Sequence, residues 1–198
     1  MGNREDLMTG ALQCLREKGY ARTTARDITS VAGTSLAAIG YHFGSTQNLL
    51  NEAAKSLAEQ WFAARTRARE ATTGIEDPAE RLLAFFREVV ETFTSDRPMT
   101  KAIVDMMLQV DHVKEIREVA LATFRPAIID YLVAFEGVSP ESVDEHTIRT
   151  AGNVYLAVFH GLMLHYVLDP ESAPKPEDFV AGMRAIAARL APANMERA

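Results

Sequence analysis

The spacing of apolar side chains predicts a chain that is helical almost throughout. A first helix from about Arg4 to Lys18 places Leu7, Ala11 and Leu15 on one face and stops at Gly19. No stretch shows the alternation typical of a half-buried strand, and the chain has no internal repeat. The further helices are predicted over about residues 25–32, 36–43, 46–72, 78–93, 99–110, 112–135, 141–168 and 177–190. We therefore expect an all-α fold of about nine helices.

The segment from Gly19 to Leu50 carries the strongest local signals. Thr24 with Asp27 three residues later forms a capping box at the start of one short helix. Gly33 follows where that helix must end, because glycine adopts the left-handed conformation of a tight turn without strain. Either Thr34 or Ser35 caps a second short helix. Helices this short need a packing partner, which the first helix supplies, and the layout is that of a helix-turn-helix that docks on DNA.

These residues resemble the DNA-binding domain of the TetR family of bacterial transcriptional regulators. The close match covers about a quarter of the chain. The matching positions are Gly19-Tyr20, Thr23-Thr24, Asp27-Ile28, Ala32-Gly33, Ser35, Ile39, Tyr41-His42-Phe43, Ser45 and Leu49-Leu50. The resemblance implies a three-helix head at residues 1–46 that binds double-stranded DNA. It also implies a larger helical body at residues 47–198 that binds ligand and dimerises.

Two residues depart from the family pattern. Gly40 stands where many members carry an aromatic residue, and Thr46 where many carry a lysine that meets a phosphate. A threonine hydroxyl donates a neutral hydrogen bond, so Thr46 should contact the DNA backbone more weakly than a lysine. Glycine destabilises a helix interior by about 1 kcal/mol relative to alanine. Gly40 is therefore either a place where DNA approaches the main chain closely or simply a weakly helical turn.

The second helix of the motif is expected to present one face to the major groove. Ile39 and Phe43 are four residues apart and should face the core of the head. The exposed side chains would read bases, while hydroxyls, the imidazole and helix N-termini would position phosphates. The residues predicted to contact DNA are Thr24, Ser35, Leu36, Ala37, Gly40, Tyr41, His42 and Thr46.

Aromatic and methionine side chains accumulate in the predicted body. Methionine is flexible and polarizable, so such a cluster can line an adaptable apolar pocket, although at helical spacing it can equally be close-packed core. Pro126 lies inside a predicted helix and marks either a bend or the wall of a cavity. The residues predicted to line a pocket for a small apolar effector are Trp61, Phe86, Phe93, Met99, Met106, Met107, Phe124, Tyr131, Asn153 and His160.

The predicted helices over 141–168 and 177–190 carry more apolar surface than one buried stripe requires. Such a surplus favours a homodimer held by a four-helix bundle, and the family resemblance implies the same interface. The residues predicted to form it are Gly152, Tyr155, Phe159, Leu162, Met163, Phe179, Met183, Ile186 and Leu190. In contrast, Arg65, Arg67 and Arg69 are expected on the solvated outer face of the fourth helix.

Composition and charge exclude fewer classes of protein than the helix-turn-helix motif does. The net charge is −6, yet residues 1–50 carry five basic and four acidic side chains, so the acidic excess lies in the body. The single cysteine, Cys14, excludes an intramolecular disulfide and fits a cytoplasmic protein. The most apolar run, Val154 to Leu168, is short for a membrane span and is expected to be a buried helix.

No catalytic motif, metal-ligand spacing or phosphate-binding loop is recognisable, so we expect neither an enzyme nor a bound cofactor or metal. The sequence thus predicts a ligand-responsive regulator, more specifically a repressor that binds a palindromic operator as a dimer. The alternative is an all-α small-molecule binding or adaptor protein without DNA binding. The uncharged recognition helix and Thr46 keep that alternative open.

Overall fold

The computed structural model describes residues 4–191, which form nine helices and no strand. The helices are α1 Arg4–Lys18, α2 Ala25–Val31, α3 Leu36–Phe43, α4 Thr46–Glu70, α5 Pro78–Ser95, α6 Arg97–Met107, α7 Lys114–Glu136, α8 Glu145–Leu168 and α9 Pro176–Leu190. A short 3-10 turn, Pro140–Ser142, precedes α8, and a π-helical turn lies within α8 at Ile148–Gly152. The all-α prediction is confirmed.

Local capping sets the start of the first helices. The Thr24 hydroxyl accepts a hydrogen bond from the Asp27 N–H at 3.2 Å, and the Asp27 carboxylate accepts one from the Thr24 N–H at 2.9 Å. Gly33 then turns the chain with φ +61°, a conformation that a Cβ would strain. Ser45 caps α4 by accepting from the Asn48 N–H at 3.0 Å. The capping box and the glycine turn follow the sequence prediction.

Helix α4 belongs to the head at one end and to the body at the other. Its first turns bury Leu49, Leu50 and Ala53 against the head, and further along Leu57 is buried in the same continuous apolar core. Farther on, the ring of Trp61 stacks on Phe93 of α5 at 5.6 Å between centroids. Helix α4 therefore connects the two parts of the chain through one continuous apolar core.

The core of the body is aromatic. Phe85 of α5 is fully buried and meets Tyr131, Phe135 and Phe159 edge-on, with centroid distances of 5.7, 5.0 and 5.4 Å. Edge-to-face pairs of this kind place the positive ring edge on a negative ring face. Helices α5, α7 and α8 are joined by these contacts, and α9 covers one side of α5.

One helix in the described part of the chain, Glu145–Leu168, is long and apolar enough to cross a membrane by length and composition. It has 24 residues, and its most apolar window has a mean hydropathy of 1.3 and is 33% buried. The helix thus begins nine residues before the apolar run from Val154 to Leu168. A single such helix is weak evidence for a membrane span, since core helices pass the same test. Here Leu156, Phe159 and Met163 are buried against the other helices of the body.

Candidate nucleic-acid interface and effector cavity

Helix α3 presents one face to the core and the opposite face to solvent. Ile39 and Phe43 are buried, with 2% and 6% of their surface exposed, as predicted. Leu36 and Tyr41 are 51% and 83% exposed. Ala37 and Gly40 lie on the same exposed surface. These four residues form an exposed face of α3 opposite Ile39 and Phe43, which is the face expected to meet a major groove.

Gly40 has no structural role that requires glycine. Its conformation is ordinary right-handed helix, and a Cβ built at this position meets no atom within 4 Å. By contrast, a Cβ on Gly10 would lie 2.9 Å from the carbonyl oxygen of Ile28, so close packing in the head does require that glycine. The fold therefore tolerates a side chain at Gly40.

The predicted phosphate-binding residues differ in their exposure and in the contacts that they make within the protein. Ser35 occupies the N-cap position of α3 but makes no side-chain capping hydrogen bond, contrary to one expectation for it. Thr46 is half-buried at the first position of α4, while the half-buried ring of His42 meets Tyr41 edge-on at 4.9 Å. Thr24 is exposed, and its hydroxyl also donates to the Asp27 carboxylate at 2.7 Å.

Lys18 and Asp27 form an ion pair at the N-terminus of α2. Lys18 donates to the Asp27 carboxylate, and together with the hydrogen bonds from Thr24 this lowers the pKa of Asp27 to about 2. Asp27 is therefore ionised at any physiological pH, and Lys18 offsets its charge. The carboxylate stabilises the N-terminus of α2 in this state, because a negative charge there opposes the positive end of the helix dipole.

Residues 7–53 match the family model described as bacterial regulatory proteins, tetR family. Residues 7–53 therefore form a DNA-binding domain of the TetR family. The match begins in α1, spans α2 and α3, and ends where α4 leaves the head, so it contains every residue predicted to contact DNA. This TetR-family protein is accordingly a DNA-binding transcriptional regulator.

Solved structures share the whole fold. A transcriptional regulator from Rhodococcus sp. Rha1 aligns with a TM-score of 0.69 at 20% identity, covering 95% of this chain and 98% of that chain. A TetR-family member from Streptomyces coelicolor A3 aligns at 0.66 with 21% identity, covering 96% and 98%. The multidrug binding protein EbrR, complexed with imidazole, aligns at 0.67 with 21% identity, covering 97% and 91%. No curated protein matches the chain. At these identities the likeness concerns the fold.

A cavity lies among α4, α5, α6, α7 and α8 of this regulator. Together with its open mouth it spans about 970 Å³, a volume that includes open solvent. Seven of the predicted pocket residues line it: Trp61, Phe93, Met106, Met107, Phe124, Tyr131 and His160. Pro126 lies in an unbroken α7 between two of the lining residues, Phe124 and Ala127.

Three predicted pocket residues lie elsewhere. Phe86 is fully buried on the other side of α5, where its ring stacks on Phe179 at 4.1 Å. Met99 points toward the shallow cleft between α4 and α5 that also contains Arg16. Asn153 is exposed. The sequence prediction was wrong for these residues because helical periodicity groups the residues of one helix but does not show which neighbouring helix each face meets.

The structure adds Arg65, which the sequence had placed on the outer face of α4. Arg65 is only 8% exposed and lines the cavity. Its Nε donates to Asp130 of α7 at 3.0 Å, and Arg69 Nε lies 3.2 Å from the other oxygen of the same carboxylate. The expectation of a solvated arginine face was thus wrong for Arg65. Asp130 lies 65 residues away in the sequence and gave no local signal.

Burial sets the protonation of the other titratable groups in the cavity wall. It lowers the pKa of His160, so that the imidazole is mainly neutral near pH 7, and it raises the pKa of Tyr131 to about 12, so that the phenol keeps its proton. Among the described residues that line the cavity, Arg65 is therefore the one with a permanent charge.

Several residues predicted at the dimer interface lie inside the protomer. Gly152, Phe159, Leu162 and Met163 are buried, and a Cβ on Gly152 would lie 2.3 Å from Ile128 Cγ2. Phe159 and Met163 line the cavity described above. The face of α8 that was predicted to form the dimer interface is therefore the face that packs inside the protomer. A sequence with two apolar stripes on one helix does not show which stripe meets the neighbouring helices.

Some of the remaining predicted interface residues pack within the protomer, and others are exposed. Tyr155 is half-buried and donates to Glu136 Oε1 at 3.2 Å, and Phe179 packs on Phe86. Met183 is half-buried, whereas Ile186 and Leu190 of α9 are 54% and 79% exposed.

The outer faces of α8 and α9 expose apolar side chains. On α8 these are Val154, Leu164 and Leu168, at 57%, 44% and 73% exposure. Glycine residues Gly161 and Gly182 lie exposed on α8 and α9, with open space where a Cβ would stand. We name the surface formed by Val154, Gly161, Leu164, Leu168, Gly182, Ile186 and Leu190 the outer α8–α9 face.

Proposed function

We propose that this regulator is a ligand-responsive repressor that binds a palindromic operator as a homodimer. The observation that carries the proposal is the combination of an exposed α3 face with a cavity whose walls include α4, the helix that begins in the head. The buried residues of the head and most of the buried residues that line the cavity belong to one continuous core. The solved EbrR complexes, with imidazole and with proflavin, support a ligand in a body of this fold.

The outer α8–α9 face is the proposed dimer interface. It exposes large aliphatic side chains on two helices that both pack against α5, and a second copy of the chain would bury them in a four-helix bundle. Such an interface is self-complementary under two-fold symmetry, and its glycine positions allow the helices to approach closely. The dimer would place two α3 helices on one side of the assembly, which requires an operator with two-fold symmetry.

The proposed response to ligand is a shift in population between two head spacings. An effector must bind the DNA-incompetent arrangement better, since equal affinity for both would change nothing. Helix α6 offers a second route from the cavity to the head besides α4. Met106 lines the cavity, and the neighbouring Asp105 accepts a hydrogen bond from the main chain of Tyr20 in the head.

Selection of bound duplexes from a random DNA pool tests the function most directly. We expect an inverted repeat, with half-site centres about 34–36 Å apart or modestly more. A variant in which both Ala37 and Tyr41 are replaced by glutamate should recover no enriched sequence while keeping its helical circular dichroism, because both side chains are exposed. Enrichment of an asymmetric site by a monomer would contradict the proposal. If the unmodified protein enriches nothing, the adaptor interpretation replaces it.

A further inference from the structure

The charge of the effector cavity is set by three side chains that link α4 and α7. Arg65 and Arg69 share the single carboxylate of Asp130, with Nε to oxygen distances of 3.0 and 3.2 Å. Two guanidinium groups with one carboxylate leave a net charge of +1. Arginine remains protonated at any physiological pH, so this positive charge is permanent. Arg65 and Asp130 are largely removed from water, at 8% and 17% exposure, whereas Arg69 is 36% exposed.

Arg65 retains an unused hydrogen-bond donor next to the cavity. The side chain is more than nine-tenths buried. Its Nη2 nevertheless has no hydrogen-bond partner among the described residues. The guanidinium also lies over the ring of Phe62, with 4.4 Å from Cζ to the ring centroid, and Phe62 lines the cavity as well. Asp130 and Phe62 thus hold the guanidinium in place from two sides. A buried donor on a fixed cation is costly unless an acceptor meets it.

The rest of the cavity wall is apolar or neutral. It is lined by aromatic and methionine side chains, by the hydroxyls of Thr92 and Thr123, and by His160, whose pKa burial lowers. No carboxylate is present among the described lining residues, so no opposite charge in the wall would compensate a cationic ligand. A ligand that matches this wall has an apolar body and one anionic end.

We propose that the effector of this regulator is an amphipathic monocarboxylate whose carboxylate is bound by Arg65. Arginine suits this role because its planar N–H groups match the two oxygens of a carboxylate. The unused Nη2 would supply one of these N–H donors. The apolar body would extend along Trp61, Phe93 and Met106. The inference deepens the proposed function, since it names the ligand class of the same cavity.

Trp61 provides the readout, because it is the only tryptophan in the chain and it lines the cavity. We would titrate the purified full-length protein with decanoate, decanol and decylamine, each below its micelle concentration, and follow Trp61 fluorescence and the melting temperature. We expect decanoate to bind at least tenfold more tightly than decanol, and decylamine to bind most weakly. Equal affinities across the series, or tightest binding of the amine or of proflavin, would overturn the proposal.

Substitution of the two arginines gives the matched comparison. Arg65→Gln should weaken decanoate binding at least tenfold and leave decanol binding unchanged. Arg69→Gln removes the same charge from the same carboxylate partner but does not line the cavity, and should retain most of the affinity. An equal loss in both variants would show that the net charge alone acts and would overturn the assignment to Arg65. If Arg65→Gln fails to fold, Arg65→Lys keeps the charge and should retain the order decanoate, decanol, decylamine.

These titrations contain no DNA, so their outcome is separate from that of the regulator proposal. A carboxylate preference without any operator would contradict the repressor but retain the ligand class. Operator binding without a carboxylate preference would contradict the ligand class alone.

Discussion

The main-chain N–H of Tyr20 donates a 2.7 Å hydrogen bond to Oδ2 of Asp105. Tyr20 lies between α1 and α2 in the head, whereas Asp105 lies in α6 beside the cavity-lining Met106. The phenol of Tyr20 is held as well, since it donates to Asn51 Oδ1 of α4 at 2.5 Å. A Cβ on the preceding Gly19, whose φ is +80°, would lie 2.6 Å from the same carboxylate oxygen. Glycine at position 19 therefore permits the close approach of α6 to the head.

Removal of this hydrogen bond should weaken the link between effector and DNA. Asp105→Ala leaves the Tyr20 N–H without its acceptor, which should lower the free energy of unfolding by about 1–3 kcal/mol. We expect unchanged effector affinity but a smaller effect of effector on operator affinity, measured by fluorescence anisotropy of labelled DNA. Asp111→Ala, at an exposed position beyond α6, is the control. An undiminished effector response in Asp105→Ala would show that α4 alone carries the coupling.

Gly40→Ala should stabilise the protein and change DNA recognition. The added Cβ meets no atom within 4 Å, so the gain in helix propensity, about 1 kcal/mol, is not offset by a clash. We expect a higher melting temperature together with weaker operator binding or a changed base preference, read from a repeated duplex selection. Gly33→Ala should lower stability instead, because its φ is +61°. Unaltered affinity and preference in Gly40→Ala would mean that the exposed glycine does not face the DNA.

Thr46→Lys should tighten binding to all duplexes. Thr46 is the first residue of α4, so a lysine there would add one phosphate contact per subunit. The slope of log K against log salt concentration should steepen by about one unit per subunit. Tyr41→Ala provides the contrast: it should weaken binding without reordering the preferred operators if the phenol meets phosphate. An unchanged salt slope for Thr46→Lys would place this helix end away from the DNA backbone.

Met106→Trp should fill the effector cavity. Met106 is 6% exposed and lines the empty space, which can accept the larger ring without forcing the core apart. We expect operator binding to persist while the melting-temperature increase caused by effector disappears. Leu108→Trp, at a 71% exposed position two residues further on, should retain the response. Unfolding of Met106→Trp would identify the site as close-packed core, since overpacking costs about 1–3 kcal/mol.

Leu164→Glu should dissociate the dimer. Leu164 lies on the outer α8–α9 face and is 44% exposed in the protomer, so glutamate is tolerated in a monomer but would be buried without a partner in the bundle. Analytical ultracentrifugation should show a monomer whose operator affinity is greatly reduced. Leu121→Glu, at a 61% exposed position on α7, should remain dimeric. If both variants stay dimeric, the interface lies on another surface.

The sequence by itself determined the elements and the DNA-binding motif. The capping of α2 by Thr24 and Asp27, the turn at Gly33 and the cap of α4 at Ser45 depend on residues within three positions of each other. Such short-range hydrogen bonds and backbone preferences can be read directly from neighbouring letters. Ile39 and Phe43 could be assigned to the core for the same reason, since a single helical turn separates them.

The tertiary structure decided which faces meet. Periodicity showed that α8 has two apolar stripes, but only its packing against α7 revealed that Phe159 faces inward and Leu164 outward. Arg65 looked like a solvated arginine until α7 brought Asp130, 65 residues away, to its guanidinium. A charge is kept in the interior by partners that lie close in space, and spacing along one helix does not contain that information. The motif was therefore local in origin, whereas the cavity and its charge arise from the assembly of five helices.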